Sequence, residues 1–519
     1  MSREDELRSA VGTPHRDDRP DAAGWTRLSP RLLLVNLGML GGPLVLFLLA
    51  LLVTGATLQT LISLGSLLIT FLMISGIGTM RLATTRFRVA DGRVELRSGL
   101  IFRVHRSAPL DRIRTVDVYA KPMHRLVGLA SLRIGTGGQT SSTSRELSLD
   151  GITGHHASEL RRLLLDRRGS SATNGPDQDA TVAEMDWAWL RYAPLAVWGV
   201  GSVCIGVGSA YRVLHEMKID PLELDGVKDV VEDRFASLPL WFGILLVIAI
   251  VVVAGAAVST ATFVEGWADY RLERDEGDVF RVHRGLLVSR SVTLEGRLLC
   301  GVEISEPMLL RWAGGARLDA VASGLGSSEE NRSRRSLTPP APREEALRVA
   351  ADVLAEERSP TESTDLVRHP HAALRRRIVR GFVALAPVVA AQLGLGVWLA
   401  PVLVRSALIS ALIGLPVVIA LANDAYHALG HGLCDRYLVV RAGTFTRRTT
   451  ALQRDRVIGW KITCSAFQRR NDLLTLGAIT AAGDGCYKVR DVPLGEGIAL
   501  AEDVVPDLLG PFVERVPRG

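Results

Sequence analysis

The hydrophobic residues of this chain are concentrated in long uncharged runs that alternate with mixed polar segments. The uncharged runs cover residues 32–80, 192–211, 235–264, 381–404 and 406–422. A membrane-spanning helix needs about 20 predominantly apolar residues. The first run is therefore long enough for two helices and each of the others for one, which predicts six transmembrane helices in three helical hairpins.

The polar segments carry the period of β-strands. Residues 87–96 alternate between apolar and polar side chains around Asp91-Gly92, which is a strong signal for a tight β-hairpin. Residues 157–165 have helical spacing instead. Strands followed by a terminal helix predict a small β-rich domain with a helical cap. Two further capping helices are predicted at 342–357 and 497–512.

One ungapped residue pattern occurs three times, counted from three glycines that we call the repeat glycines. A branched apolar residue stands nineteen positions later, an Arg twenty-six and a Leu thirty-three positions later. Such a long repeat indicates a duplicated domain and not a solenoid unit of 20–50 residues. In the three copies these residues are Gly99, Val118, Arg125 and Leu132; Gly285, Ile304, Arg311 and Leu318; and Gly443, Ile462, Arg469 and Leu476.

The distribution of charge predicts which side of the membrane the repeats face. Arginines are concentrated before the first run, in 81–88 and in 368–380, whereas 212–237 holds four basic against seven acidic residues. Because basic segments stay in the cytoplasm, both termini and all three repeats are expected there. The net charge of +6 then lies near anionic headgroups. Nucleic acid is discounted as a partner, because the basic clusters adjoin membrane helices and have no interleaved aromatic residues.

The residues of the first repeat resemble a known family. Residues 109–116, which read Pro-Leu-Asp-Arg-Ile-Arg-Thr-Val, and residues 126–134 resemble the bacterial pleckstrin-homology-like (PH-like) domain of YdbS/YdbT-type membrane proteins. The third copy is similar over fewer residues, and the second departs most. The resemblance implies a split seven-stranded β-barrel closed by a C-terminal helix. It implies no particular ligand, because such folds serve many functions.

The predicted fold class is an α+β membrane protein, with six transmembrane helices in three hairpins and a cytoplasmic PH-like barrel with a capping helix after each hairpin. The predicted segments are a disordered tail (1–27), hairpin 1 (28–80), PH-like domain 1 (81–168), a linker (169–186), hairpin 2 with an acidic outer loop at 212–237 (187–265), the degenerate PH-like domain 2 (266–358), a basic linker (359–379), hairpin 3 (380–430) and PH-like domain 3 (431–519).

The candidate site residues are arginines. A guanidinium binds phosphate or carboxylate in a bidentate fork, so the repeated arginines are candidate ligand or partner contacts, although a structural ion pair or cap is the more favoured reading. Four further arginines next to repeat glycines are candidates for headgroup contact. The two sets are Arg125, Arg311 and Arg469, and Arg103, Arg106, Arg447 and Arg448.

A metal site is a weak alternative at the end of the sixth helix. His427 and His431 are four residues apart and so share one helix face, with Asp424 as a third possible ligand. No Glu follows His427, so the metalloprotease motif is absent, and histidines are ordinary residues at a membrane interface. No cofactor is predicted, and the sequence has no nucleophile, phosphate-binding or dinucleotide motif.

These observations favour a non-enzymatic protein of the cell membrane. Its three cytoplasmic domains are expected to bind a partner, such as another membrane protein, or the anionic inner leaflet of the lipid bilayer. Transport or efflux of a peptide or small molecule through the helices is the alternative function. It is disfavoured because no acidic residue, Lys or His lies deep in a predicted helix. A metal-dependent enzyme at His427 and His431 is the third hypothesis.

Overall fold

The structure is a computed structural model of the 519-residue chain. The residues that it describes are 25–32, 34–35, 38, 44–45, 62, 65–66, 68–73, 75–76, 84–90, 92–99, 104–110, 115–120, 122–135, 147–157, 159–160, 180–195, 198–216, 239–275, 278–323, 334–398, 400–506 and 508. They form two compact units, 1–294 and 295–519, so the boundary falls inside the second repeat.

The first sheet of unit 1 contains four antiparallel strands in the order β1-β2-β3-β4. The predicted β-hairpin is confirmed, because Ala90 pairs with Arg93 across a turn in which Gly92 has a φ of 68°. The strands are β1 (Thr26–Arg27), β2 (Arg86–Ala90), β3 (Arg93–Ser98) and β4 (Val104–Pro109).

The second sheet of unit 1 joins two repeats. Its order is β7-β6-β5-β11-β10-β9-β8, so strands of the first repeat continue directly into strands of the second. The strands are β5 (Thr115–Ala120), β6 (Leu129–Gly135), β7 (Leu147–Thr153), β8 (Ala180–Glu184), β9 (Arg271–Asp275), β10 (Val279–Arg284) and β11 (Ser289–Glu295). A short helix, α1 (Pro122–Leu126), lies between β5 and β6.

The core of the first repeat lies between these two sheets. Phe87 and Val94 of the first sheet pack with Leu132 and Leu149 of the second, and Leu160 covers them. Residues 154–157 and 159–160 are helical, as the spacing predicts for the capping helix. Burial of these apolar side chains at about 25 cal/mol per Å² is the main stabilising contribution.

Unit 2 repeats this arrangement with the next pair of copies. A six-stranded sheet has the order β14-β13-β12-β17-β16-β15, and a three-stranded sheet the order β18-β19-β20. The strands are β12 (Leu299–Pro307), β13 (Gly315–Ala322), β14 (Ala341–Pro342), β15 (Gly430–Cys434), β16 (Tyr437–Ala442), β17 (Thr446–Gln453), β18 (Gly459–Thr463), β19 (Leu473–Ile479) and β20 (Cys486–Pro493). Cys300 and Val321 of the second repeat pack into the core of the third with Leu438 and Leu474.

The longer helices either cap the β-rich domains or are long and apolar. The predicted cap at 342–357 is confirmed as α5, and the last helix ends at Val504, before Pro506, because proline cannot continue a helix. The helices after α1 are α2 (Trp198–Glu216), α3 (Leu240–Trp267), α4 (Met308–Trp312), α5 (Arg343–Leu354), α6 (Pro360–Ser363), α7 (His371–Trp398), α8 (Val402–His427), α9 (Ala466–Arg470) and α10 (Leu494–Val504).

Within the described residues, three helices are long and apolar enough to cross a membrane. These candidate spans are Trp241–Trp267, His371–Trp398 and Pro401–His427, which correspond to the predicted fourth, fifth and sixth helices. The third predicted helix is largely α2, which is not among the three. Most of the first hairpin lies outside the described residues.

Helices α7 and α8 are neighbours that pack closely through glycines. A Cβ atom added to Gly414 would lie 2.9 Å from the Leu385 side chain. Such contacts are typical of membrane helices, in which small residues let two backbones approach. Most of the large apolar side chains on both helices remain exposed, as expected for surfaces that face lipid.

In every repeat, a segment that precedes the helices pairs with the first strand that follows them. Strand β1 pairs with β2, β8 with β9, and Val367 forms a bridge to His431. These segments fall within the predicted tail and the two predicted linkers, where the sequence analysis placed no strand. The segments that flank the apolar run of each repeat are therefore neighbours in the fold.

Candidate interaction surfaces at the repeat joints

The first joint is the pairing of β5 with β11, which unites the first and second repeats. Three residue pairs define it, and Val118 lies opposite Ser291. The repeated arginine of the first copy lies beside this joint on α1, and Arg125 Nη1 donates a hydrogen bond to the Leu286 carbonyl at 2.8 Å. The arginine therefore contacts the turn at the repeat glycine of the next copy.

The end of α3 positions that turn. The Glu265 carboxylate accepts hydrogen bonds from the amides of Leu287 at 3.2 Å and Val288 at 3.1 Å. Gly285 has a φ of 105°, and a Cβ atom there would overlap the Val288 carbonyl. Only glycine fits this conformation, which is a physical reason for glycine at this position of the repeat.

The second joint is the pairing of β12 with β17, which unites the second and third repeats. It has seven residue pairs, and Ile304 lies opposite Thr449. The Met308 amide donates to the Phe445 carbonyl at 2.7 Å. The repeated arginine on α4, Arg311, forms a 2.6 Å ion pair with Asp424 near the end of α8.

One buried carboxylate, that of Glu306, and one partly buried carboxylate, that of Glu303, lie in the second joint. Glu306 Oε2 is 2.6 Å from Arg447 Nε and its other oxygen is 3.4 Å from Arg343. Glu303 accepts a hydrogen bond from Thr450 at 3.2 Å and lies 3.4 Å from Arg448.

Burial, which penalises the charged form, raises the pKa of Glu303 above its ordinary value, although the Arg448 charge lowers it in part. Beside Glu303 is a polar cavity of about 20 Å³, which Asp319, Arg335 and Asp484 also line. That volume suits a single water molecule and is too small for an organic ligand.

The equivalent surface of the third copy is open in the described part of the chain. Strand β18 pairs with β19 on one side only. Helix α9 is well formed, because Ser465 and Gln468 cap its first turn reciprocally. Arg469 on this helix is exposed and makes no side-chain hydrogen bond or ion pair with any described residue.

A buried charge cluster attaches the third repeat to the base of α7. Asp491 is 2% exposed and forms ion pairs with Arg376 and Arg377. Gln468 donates a further hydrogen bond to it at 2.9 Å. Because the arginines belong to the membrane-proximal helix and Asp491 to β20, these bonds fix the domain to the helix.

Two buried histidines extend this cluster. His369 Nδ1 lies 3.1 Å from the Asp491 carbonyl oxygen, and its Nε2 lies 3.2 Å from His431 Nδ1. Burial lowers the pKa of both imidazoles, that of His431 to about 4. Both rings are therefore neutral at pH 7.

The predicted arginines occupy different environments. Arg125 and Arg311 lie in the two joints, and Arg447 and Arg448 pair there with carboxylates. Arg469 is the exposed counterpart of the first two. Arg106 is part of β4, and Arg103 lies outside the described residues.

The residues of the weak metal alternative do not converge. Asp424 pairs with Arg311, and His431 contacts His369. His427 is exposed and stacks edge-on with Tyr426. No group of three or more His, Cys, Asp or Glu side chains that could hold a metal occurs within the described residues.

Sequence reasoning missed the acidic residues of these sites. Glu303 stands between Val302 and Ile304, and Glu306 follows Ser305, and nothing local shows that another repeat covers either carboxylate. In the sequence, Arg376 and Arg377 indicate only topology, and no neighbour of Asp491 in the chain marks it as their partner.

Comparison with known proteins gives one match. The family model of the bacterial PH domain matches residues 37–168 and 382–504. Each matched region covers part of an apolar pair together with the β-rich domain after it, and the second repeat lies outside both. No curated protein and no solved structure matches the chain.

Proposed function

We propose, from the membership of this chain in the bacterial PH domain family, that it is a non-enzymatic scaffold of the cell membrane. Three PH-like domains lie on the cytoplasmic side and bind a partner protein or the anionic inner leaflet. The observation that carries the proposal is the pairing of segments across the helices, β1 with β2, β8 with β9 and Val367 with His431. Chain segments that pair with each other must lie on the same side of a membrane.

An even number of spans between paired segments follows from this pairing, and it supports three helical hairpins. The basic residues at the predicted cytoplasmic ends support a position of the domains inside the cell. The joints add a second support, because β5–β11 and β12–β17 couple successive repeats through continuous sheets. Linked domains that act together strengthen weak contacts by about 10²–10⁴ where their geometry allows it.

Contact with anionic lipid is supported by the base of α7. Arg376 and Arg377 turn inward to Asp491, whereas Arg375 and Arg380 are exposed. Each basic residue near an anionic surface contributes about 1 kcal/mol. Two functions are thus divided between neighbouring arginines, since one pair attaches the domain and the other faces the headgroup region.

The sidedness is tested with a specific protease site inserted into 324–333 of the full chain. We expect cleavage in inverted membrane vesicles and protection in right-side-out vesicles. The matched control places the same site in 220–230, where we expect the opposite result. Cleavage of the 324–333 site in right-side-out vesicles would overturn the proposal.

The lipid contact is tested in nanodiscs that contain zwitterionic lipid with or without phosphatidylglycerol. The full chain should retain phosphatidylglycerol selectively when its bound lipids are measured by native mass spectrometry. Arg375→Glu with Arg380→Glu should abolish that selectivity, and the matched double lysine variant should keep it. Equal retention by the glutamate and lysine variants would count against headgroup binding at this site.

A further inference from the structure

The two joints are built in one register. In the first, Val118 lies opposite Ser291, and in the second Ile304 lies opposite Thr449. Val118 and Ile304 both stand nineteen residues after their repeat glycine, and Ser291 and Thr449 both stand six residues after theirs. The chain therefore uses the same edge-to-edge joint twice.

In the third copy, the strand equivalent to β5 and β12 is β18, and it has no strand of a further repeat beside it in the described residues. Ile462 stands at position nineteen of its copy and is 49% exposed, whereas the equivalent Ile304 is 3% exposed. Ile458 just ahead of β18 is 64% exposed. Arg469, at the position that contacts the next copy in both joints, reaches no partner in the described structure.

The first copy begins with the complementary half. Strand β4 corresponds to β11 and β17 and lies at the edge of its sheet in the described residues. His105 stands at position six and is exposed, whereas the equivalent Ser291 is 9% and Thr449 6% exposed. Val104 beside it is 43% exposed. An edge strand presents unpaired backbone groups that another strand can bind.

We propose that a second copy of this chain occupies these edges, so that β18 of one molecule pairs antiparallel with β4 of the next. The joint continues the register of the two internal joints and places Ile462 opposite His105. The inference deepens the proposed scaffold function and rests on it for the placement of all repeats on one membrane face. Because donor and acceptor surfaces differ, the contact is head-to-tail and generates rings or open chains.

The side chains at the new joint make it weak. The same register places Lys461 opposite Arg106, at the positions where the second joint has Glu303 opposite Thr450. Like charges directly opposite each other destabilise a strand pair, and an edge lysine is a common device against uncontrolled pairing. Association is therefore expected only at the raised local concentration of a membrane.

Cross-linking in the membrane tests the register. One chain carries Ile462→Cys and a second, differently tagged chain carries His105→Cys, each with its native cysteines replaced. Mixed in the same proteoliposomes and oxidised, they should form a disulfide that joins the two tags. Lys488→Cys, on the exposed face of β20 at the far edge of that sheet, replaces Ile462→Cys in the control and should give none. Absence of a disulfide between the two tags, or equal yield from the control, would overturn the proposal.

Charge reversal tests the same joint through an increase in the strength of self-association. Lys461→Glu should tighten self-association of the full chain in proteoliposomes about two- to fivefold, and Arg106→Glu should do the same, as judged from one cross-strand pair. The double variant places two glutamates opposite each other, so its association should return to that of the wild type. Failure of both single variants to associate more tightly than the wild type and the double variant would overturn the proposal. The protease-site experiment reads sidedness independently, so this failure would leave the scaffold function standing.

Discussion

The two joints share one register but differ in chemistry. The first has three residue pairs between its two strands, and its arginine binds a backbone carbonyl. The second has seven residue pairs, the carboxylates of Glu303 and Glu306, and an arginine paired with Asp424. The comparison shows that backbone pairing sets where successive repeats meet, whereas side-chain charge determines how strongly a given joint depends on individual residues.

The attachment of helices to sheets shows the same contrast. In unit 1, Ser259 on α3 donates at 2.5 Å to the carbonyl of Ala193, in the 3-10 helix Trp187–Leu195 that follows β8, and Glu265 accepts the amides of the turn between β10 and β11. In unit 2, Asp491 holds two arginines of α7. Removal of one partner from a buried ion pair leaves an uncompensated charge. Unit 2 should therefore be more sensitive to single substitutions than unit 1.

The largest effect is expected for Asp491→Ala. The change leaves Arg376 and Arg377 without their carboxylate and should lower the free energy of unfolding by about 3–5 kcal/mol. Denaturant unfolding of the full chain in micelles, followed by tryptophan fluorescence, measures it. Asp455→Ala is the control, because its carboxylate is 74% exposed, and it should change the stability by less than about 0.5 kcal/mol. Equal effects of the two variants would contradict the assigned role of the cluster.

A somewhat smaller loss is expected for Glu306→Ala in the second joint. It removes the partner of Arg447 and Arg343, both of which keep some access to water, so we expect about 2–3 kcal/mol. Amide hydrogen exchange should then increase in β12 and β17 and remain unchanged in β5 and β11. Faster exchange at both joints would show that the two are not independent.

Alanine substitution of the three repeated arginines compares the joints directly. Arg311→Ala should cost about 1–2 kcal/mol, because it breaks a partly buried ion pair, and Arg125→Ala about 0.5 kcal/mol, because it removes one hydrogen bond at an exposed site. Arg469→Ala should leave the stability of an isolated chain unchanged. The three variants are compared by thermal unfolding, and the reverse order would refute the distinction between the joints.

The effect that is smallest at neutral pH is the pH dependence of unit 2. The pKa of His431 falls to about 4 in the folded chain, below the ordinary value of about 6.5. The unfolded chain therefore binds more protons between these values, so stability is complete above pH 6.5 and declines as the pH falls toward 4. Near about pH 6 the expected loss is about 1 kcal/mol, which corresponds to a Tm lower by about 2–4 °C. His431→Gln should flatten this dependence, and the exposed His427→Gln should not.

Part of this molecule follows from local sequence. The Asp91-Gly92 hairpin, the cap at 342–357 and the family resemblance depend on residues close together in the chain, where turn chemistry and periodicity act directly. The segments that pair ahead of the helices were missed, because one to five residues are too few for a periodic signal. The joints were missed as well, since β12 and β17 are about 140 residues apart. The residues of an edge strand do not identify the strand with which it pairs.

The repeated arginines show best what the sequence alone does not determine. The repeat identified Arg125, Arg311 and Arg469 as equivalent positions, and their equivalence is evident from spacing alone. Their different environments depend on what lies opposite: a carbonyl, a carboxylate or solvent. The sequence by itself determined that one domain plan is used three times beside long apolar helices. Only the tertiary structure decided which edges meet, because strand pairing between distant segments depends on the shape and position of whole sheets and not on local composition.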